Sequence, residues 1–106
     1  MSEVNSSRTK PEIKTLSIVD ITLDPDLQPR AELDQNIVKL YCEELVDKTF
    51  NMDPVVVFLD NEGTYWLADG WHRVESYKIS KRKKIKAKVY LGTKRDAWKY
   101  SRSANA

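Results

Sequence analysis

The stretch Leu67-Ala68-Asp69-Gly70-Trp71-His72-Arg73 decides the fold, because an apolar run ends there and a helical pattern begins. Residues 63–68 have the aromatic-rich, apolar content of a β-strand. Beyond Arg73, apolar residues return at helix-like spacing, at Val74, Tyr77 and Ile79. Asp69 and Gly70 therefore fall at a predicted strand-to-helix junction.

A junction of this kind is suited to bind an anion. The first N–H groups of a helix have no partner within the helix, and a glycine lets an oxygen approach them without a Cβ in the way. Arg73 would add a bidentate hydrogen bond to a phosphate or carboxylate, and His72 would be a further donor when it is protonated. A structural role is the alternative, because Asp-Gly is also a common tight turn and a His-Arg pair is often solvated.

Length and composition predict one globular domain. The chain has 106 residues, of which 41% are hydrophobic and 32% charged. Residues 1–12 are polar and are expected to form a flexible N-terminal tail, with the domain over 13–106. No apolar run is long enough to cross a bilayer, so we expect a cytoplasmic protein without a membrane partner. One cysteine and one histidine make no usual ligand set, so no metal site is expected.

The order of patterns along the chain predicts an α+β domain. An unevenly alternating strand over 13–21 precedes a helix with Asp34 as its N-cap and an end near 48–50. The apolar run 54–59 predicts a strand covered on both faces, and a turn then leads into the strand before Gly70. A strand over 85–91 and a last helix capped by Thr93 complete the chain. The order is β-α-β-β-α-β-α, which predicts a compact single domain with a mixed sheet.

The net charge is only +2, but cations are concentrated in residues 81–88, where six of eight residues are basic. They are candidates for nucleic-acid contact: Lys81, Arg82, Lys83, Lys84, Lys86 and Lys88. Alternation in the strand 85–91 predicts that Lys86, Lys88 and Tyr90 share one face while the apolar residues share the other. The alternative is that these lysines are solvated and protect an edge strand from aggregation.

Several segments, in this order and spacing, resemble the successive motifs of the ParB/sulfiredoxin superfamily and its ParB-like N-terminal domain, also described as the ParB-like nuclease domain. They are Gln28-Pro29-Arg30, 54–58, 67–73 and 87–97. The resemblance covers nearly everything from Ile13 onward and implies that nucleotide phosphates bind at the strand-to-helix junction. The implied site consists of Gly70, Trp71, His72 and Arg73, with Arg30 and Thr93 from neighbouring loops and Asp69 as support.

The superfamily includes partition proteins that bind and hydrolyse CTP, sulfiredoxins that use ATP to repair oxidised peroxiredoxins, and nucleases. Trp71 occupies the position of the sulfiredoxin catalytic cysteine and cannot act as its nucleophile, so sulfiredoxin activity is not expected. Partition proteins carry a Gly-Glu-Arg-Arg-like element that Gly70 and Arg73 match. Trp71 and His72 depart from that element, which weakens the expectation of CTP hydrolysis.

The function expected first is a nucleotide-phosphate-binding ParB-like module that serves DNA partition or transcriptional regulation, alone or within a longer DNA-binding protein. Its cofactor would be CTP or ATP, with Mg²⁺ as a further candidate. DNA and a second copy of the chain are candidate partners, although the 106 residues contain no helix-turn-helix pattern.

Two alternatives are kept open. The enzyme alternative is a metal-assisted nuclease or nucleotide hydrolase of the same fold that uses Asp69, His72 and Arg73. The other is a protein-interaction domain that has lost nucleotide binding. Its candidate anchors are Trp66, Trp71, Trp98 and Tyr100. We expect binding rather than catalysis.

Overall fold

The computed structural model describes residues 10–28, 32–47 and 52–104, so the first nine residues of the predicted tail lie outside it. The strands are β1 (Glu12–Ser17), β2 (Ile21–Thr22), β3 (Val55–Leu59), β4 (Tyr65–Asp69) and β5 (Lys84–Leu91). The helices are α1 (Gln35–Leu45), α2 (Trp71–Ile79) and α3 (Lys94–Ala104), with short 3-10 helices at Ile18–Asp20 and Pro25–Leu27. Within these ranges, no helix is long and apolar enough to cross a membrane.

The five strands form one mixed sheet in the order β1-β5-β3-β4-β2. β5 pairs parallel with β3 and antiparallel with β1, whereas β4 pairs antiparallel with β3 and parallel with β2. The predicted α+β domain with a mixed sheet is confirmed. The suggestion that the lysines of β5 protect an edge strand is wrong, because β5 is an internal strand with a hydrogen-bonded neighbour on each side.

The strand predicted over 13–21 is divided into two strands at opposite edges of the sheet. β1 pairs with β5 at one edge, and after the 3-10 helix Ile18–Asp20 the chain pairs with β4 at the other. The buried side chains in this segment are Leu16, Ile18 and Ile21, at spacings of two and then three residues. A single strand turns alternate side chains to one face and cannot bury all three together. The uneven alternation therefore reflects the crossover.

Strand β3 runs between two apolar layers. Val55 and Val57 belong to a core cluster that includes Val74 of α2, whereas Val56 and Phe58 belong to a second cluster against α3. Each of these four side chains is at most 8% exposed. Burying one such side chain contributes roughly 1.5–3 kcal/mol, so β3 is the centre of the fold. The prediction of a strand covered on both faces is confirmed.

Helix α1 begins where the sequence predicts. The Asp34 carboxylate accepts a hydrogen bond from the Asn36 N–H at 2.9 Å, which makes Asp34 the N-cap. The helix packs against α2, where the Cys42 thiol donates to the Ser76 carbonyl at 3.7 Å. It ends at Leu45, and the predicted end near 48–50 lies outside the described residues.

Helix α2 ends in a left-handed residue that is not a glycine. Lys81 has a φ of 61°, its N–H donates to the Lys78 carbonyl at 3.0 Å, and the Arg82 N–H donates to the Tyr77 carbonyl at 2.9 Å. These are the paired bonds of a Schellman motif, whose left-handed position favours glycine because a Cβ there costs about 1 kcal/mol.

We therefore expect Lys81→Gly to raise the free energy of unfolding by about 1 kcal/mol, measured by urea denaturation. Lys83→Gly is the matched control, because Lys83 lies two residues further along the same exposed loop and has no positive φ. This control should leave stability unchanged or lower it. Equal changes in the two variants would show that the backbone conformation of Lys81 is not under strain.

Candidate functional site

Strand β4 meets helix α2 at Gly70, which is buried and has a φ of 107°. A Cβ added to Gly70 would lie 2.6 Å from Cγ1 and 3.2 Å from Cα of Val55. The glycine therefore lets the junction pack directly on β3. The sequence suggested that the missing Cβ makes room for a ligand oxygen, but on that side the space is filled by Val55.

A β-bulge immediately before the junction changes the face of the sheet on which the Asp69 side chain lies. Val57 pairs with Leu67 and Val56 pairs with Asp69, so Ala68 is an extra residue in β4. Asp69 consequently shares the α3 side of the sheet with Val56. Its Oδ2 lies 3.6 Å from Nη2 of Arg73, one helical turn further on, so the carboxylate is positioned to orient the guanidinium.

The Arg73 guanidinium holds the segment that leads into β3. Its Nη1 donates to the carbonyl oxygens of Asp53 at 2.9 Å and Pro54 at 3.0 Å. The side chain is only 15% exposed. Because Nη1 is committed to the backbone, a phosphate would have to bind the other edge of the guanidinium, on the side of Asp69. Arg73 thus has a structural role that the sequence did not reveal.

His72 connects the first turn of α2 to the start of α1. Its Nε2 accepts a hydrogen bond from the backbone N–H of Asp34 at 3.1 Å, across 38 positions in the sequence. An imidazole nitrogen that accepts a hydrogen bond carries no proton, so this geometry belongs to the neutral ring. The protonated donor expected from the sequence would therefore require this bond to break.

The first turn of α2 has the features of an anion site. Gly70 is its N-cap, it contains no acidic residue, and no side chain of the described ranges caps it. The uncapped N–H groups and the positive end of the helix dipole are then available to a negative group. The Trp71 ring packs against both core clusters, and its Nε1 is buried and has no hydrogen-bond partner among the residues that the structure describes. The indole N–H is thus a further unsatisfied donor in this turn.

Thr93 caps helix α3, as the sequence predicts. Its Oγ1 accepts from the Asp96 N–H at 3.1 Å and donates to Asp96 Oδ2 at 3.2 Å, while the Thr93 N–H donates to the same oxygen at 2.8 Å. This is a capping box with aspartate in the third position. The hydroxyl proposed for the phosphate pocket is therefore engaged in the helix cap. Arg30, the other loop residue expected there, lies outside the described residues.

An aromatic cluster, formed by Phe58, Tyr90 and Tyr100, adjoins the junction from the α3 side. The ring centroids lie 5.2 Å apart for Phe58 and Tyr90 and 5.8 Å apart for each pair with Tyr100. Burial raises the pKa of Tyr100; the charges of Tyr90 and Asp69 raise it further, and Arg73 lowers it.

The structure divides the six cations of the basic run into three groups. Arg82 donates from Nη2 to the Leu45 carbonyl at 2.7 Å, so it holds the C-terminal end of α1. Lys81 and Lys83 lie in the loop between α2 and β5. The remaining cations are on β5: Lys84, Lys86 and Lys88. Alternation places them on the same face as Tyr90, as the sequence predicts.

Asp69, the carboxylate of the enzyme alternative, is not joined by Asp60 of the turn before β4. Asp60 accepts hydrogen bonds from the Glu62 and Thr64 N–H groups and from Trp66 Nε1, each at 2.9 Å. The bond from Thr64, followed by that from Trp66, lowers the pKa of Asp60. Asp60 and Asp69 lie at opposite ends of β4. In the described ranges, no three His, Cys, Asp or Glu side chains are grouped to hold a metal ion.

The four aromatic residues considered as protein-contact anchors are largely built into the fold. Trp66 binds Asp60, Trp71 packs in the core, and Tyr100 belongs to the aromatic cluster. Trp98 is 42% exposed, and the Arg102 guanidinium lies over its ring at 4.8 Å. Trp98 is therefore the accessible member of the four.

No protein-family model and no curated protein matches the chain. Among solved structures, sulfiredoxin from Arabidopsis thaliana has a TM-score of 0.68 and 27% identity, and the match covers 85% of this chain and 97% of that chain. C-terminally truncated ParB from Caulobacter crescentus, complexed with CTP-gamma-S, has a TM-score of 0.73 and 16% identity, covering 90% of this chain and 53% of that chain. A free serine kinase in complex with AMP has a TM-score of 0.60 and 16% identity, and the match covers 76% of this chain and 32% of that chain.

The chain thus spans nearly the whole sulfiredoxin and about half of the ParB structure. Both matches extend over at least 85% of the chain, so they concern most of the chain rather than one motif. The mixed five-stranded sheet, the helix order and these matches agree with the resemblance seen in the sequence motifs. The chain has a ParB/sulfiredoxin-like fold.

Proposed function

We propose that the protein is a nucleotide-binding ParB-like module that holds the phosphates of a nucleoside triphosphate at the start of α2. The observation that carries the proposal is the first turn of α2, which begins at a left-handed glycine and has neither a side-chain cap nor an acidic residue. Backbone donors at such a helix end bind anions. The nucleotides bound to ParB and to the serine kinase, which share the fold, support a nucleotide rather than another anion.

In this proposal the N–H groups of residues 71–73 donate to phosphate oxygens. The Nη2 side of Arg73 supplies positive charge, and His72 adds a donor once its bond to Asp34 is released. Arg30 contributes from the sequence before α1, Thr93 contributes its hydroxyl once the bond to Asp96 Oδ2 is released, and Mg²⁺ accompanies the triphosphate. The proposed biological setting is DNA partition or transcriptional regulation, alone or within a longer DNA-binding protein, because the fold is shared with a chromosome-partitioning protein.

The decisive experiment is calorimetric titration of the protein with CTP, ATP, cytidine and adenosine, at low salt, with and without Mg²⁺. We expect the triphosphates to bind and the nucleosides not to, because the site recognises phosphate charge. The difference between CTP and ATP then gives the base preference. Failure of both triphosphates to bind, or equal binding of triphosphate and nucleoside, would overturn the proposal.

A charge variant locates the binding site without disturbing the core. Asp69 is 42% exposed and places a negative charge beside Arg73, where it competes with phosphate. We expect Asp69→Asn to tighten triphosphate binding several-fold, since the repulsion is removed while the size of the side chain is kept. Glu62→Gln is the matched control at the opposite end of β4 and should leave the affinity unchanged. An equal effect of the two substitutions would place the nucleotide elsewhere.

A further inference from the structure

Three lysines form a straight row on strand β5. The lysine row consists of Lys84, Lys86 and Lys88, and the residues between and after them point to the opposite face and are buried: Ile85, Ala87 and Val89. Side chains on one face of a strand recur about every 7 Å, so the row places positive charges at regular steps. Tyr90 continues the row on the same face and joins the aromatic cluster.

Within the described part of the chain, the fold gives these lysines no structural partner. The ion pairs found among residues 10–28, 32–47 and 52–104 do not include them. The need to protect a sheet edge does not apply, because β5 is internal. On their side of the sheet, α3 lies over β4 and β3, and the neighbouring β1 residue Ile13 is 52% exposed beside Lys88. The row therefore faces an open, positively charged part of the sheet.

The row leads to a cavity with aromatic walls. The cavity has a volume of about 250 Å³ and is lined by the aromatic cluster, by Leu91 of β5 and, from α3, by Asp96, Lys99 and Ser103. Tyr90 is both the fourth position of the row and a wall of the cavity. The lysine row and the cavity at its end thus lie on one continuous surface.

We propose that the lysine row and this cavity bind a single-stranded nucleic acid, with successive phosphates along the row and one unpaired base against the aromatic cluster. Proteins bind single strands by combining cations that follow the backbone with aromatic rings on which bases stack. A duplex meets the first requirement but not the second, because its bases are already stacked and paired. An acidic peptide likewise has no planar base for the cavity. This surface is on β5 and does not depend on nucleotide binding at Gly70.

The first test uses fluorescence anisotropy with labelled 12-nucleotide oligothymidylate and oligouridylate at several salt concentrations. The triple variant Lys84→Gln, Lys86→Gln, Lys88→Gln is compared with the control triple Lys14→Gln, Lys39→Gln, Lys78→Gln, which removes the same charge from other faces. The row variant should bind at least tenfold more weakly, and the slope of log K against log salt should fall by about two, at roughly 0.7 per phosphate. The control should keep the parental slope. Equal losses of affinity in the two triple variants would contradict the proposal that the lysine row binds the phosphates.

The second test leaves the protein unaltered and changes the ligand. An abasic strand of the same length retains every phosphate but offers no base, and should bind roughly tenfold more weakly than oligothymidylate. A 12-base-pair duplex and a poly-glutamate peptide should also bind more weakly at the same salt. Equal affinity for the abasic strand or the duplex would overturn base binding in the cavity. Preference for poly-glutamate would identify the surface as a site for acidic proteins and overturn the proposal.

Discussion

Replacing Gly70 with alanine is expected to lower the free energy of unfolding by about 2–5 kcal/mol. The left-handed φ of 107° costs a residue with a Cβ roughly 1–2 kcal/mol. The new methyl group would also lie 2.6 Å from Cγ1 of Val55, which is completely buried in the central strand and cannot move aside. Overpacking of this kind costs roughly 1–3 kcal/mol more.

Gly63→Ala separates the two contributions. Gly63 also has a positive φ, of 86°, but a Cβ added there meets no atom within 4 Å. This control should lose only about 1 kcal/mol, which is the conformational part. Urea denaturation of the two variants would measure both losses. Similar losses would show that the junction does not rest tightly on Val55, so that close packing would not explain the glycine at position 70.

The second large effect is expected from Arg73→Met, which should lower the free energy of unfolding by about 2–3 kcal/mol in the absence of any nucleotide. Methionine keeps an apolar stem of similar length but leaves the carbonyl oxygens of Asp53 and Pro54 without their charged donor. A hydrogen bond to a charged group contributes roughly 1.5–3 kcal/mol, and less where water can replace it, as at the exposed Asp53.

Arg95→Met is the control for this prediction. Arg95 is exposed on α3 and its side chain forms no hydrogen bond or ion pair with the described residues, so its replacement should change stability by less than about 0.5 kcal/mol. Thermal unfolding followed by circular dichroism would compare the two variants. If Arg73→Met unfolds at the parental temperature, the two carbonyl contacts contribute nothing to the fold, and Arg73 would be available entirely to a ligand.

Features that depend on neighbouring residues could be predicted from the sequence. The N-cap at Asp34, the cap formed by Thr93 and Asp96, and the junction at Gly70 follow from residue types a few positions apart. The continuous apolar run of β3 likewise indicated burial on both faces. These local signals, with the motif order, were sufficient for the fold class.

Features that depend on distant contacts could not be predicted. The hydrogen bond between His72 and Asp34 spans 38 positions, and the bonds from Arg73 to Asp53 and Pro54 span about twenty. No spacing rule links such residues. The internal position of β5 was missed for the same reason, because strand order depends on where β1 pairs and not on the sequence of β5 itself.

The division of the first strand has a consequence for how the sheet is completed. Both outer strands, β1 and β2, come from residues 12–22, although they lie at opposite sides of the sheet. A cut or deletion in this short stretch would uncover the hydrogen-bonding groups of β5 and β4 at the same time. Two unpaired strands that flank an apolar core are templates for association between chains. Residues 12–22 therefore cover both edges of the sheet, and their loss should make the remaining fold prone to aggregate.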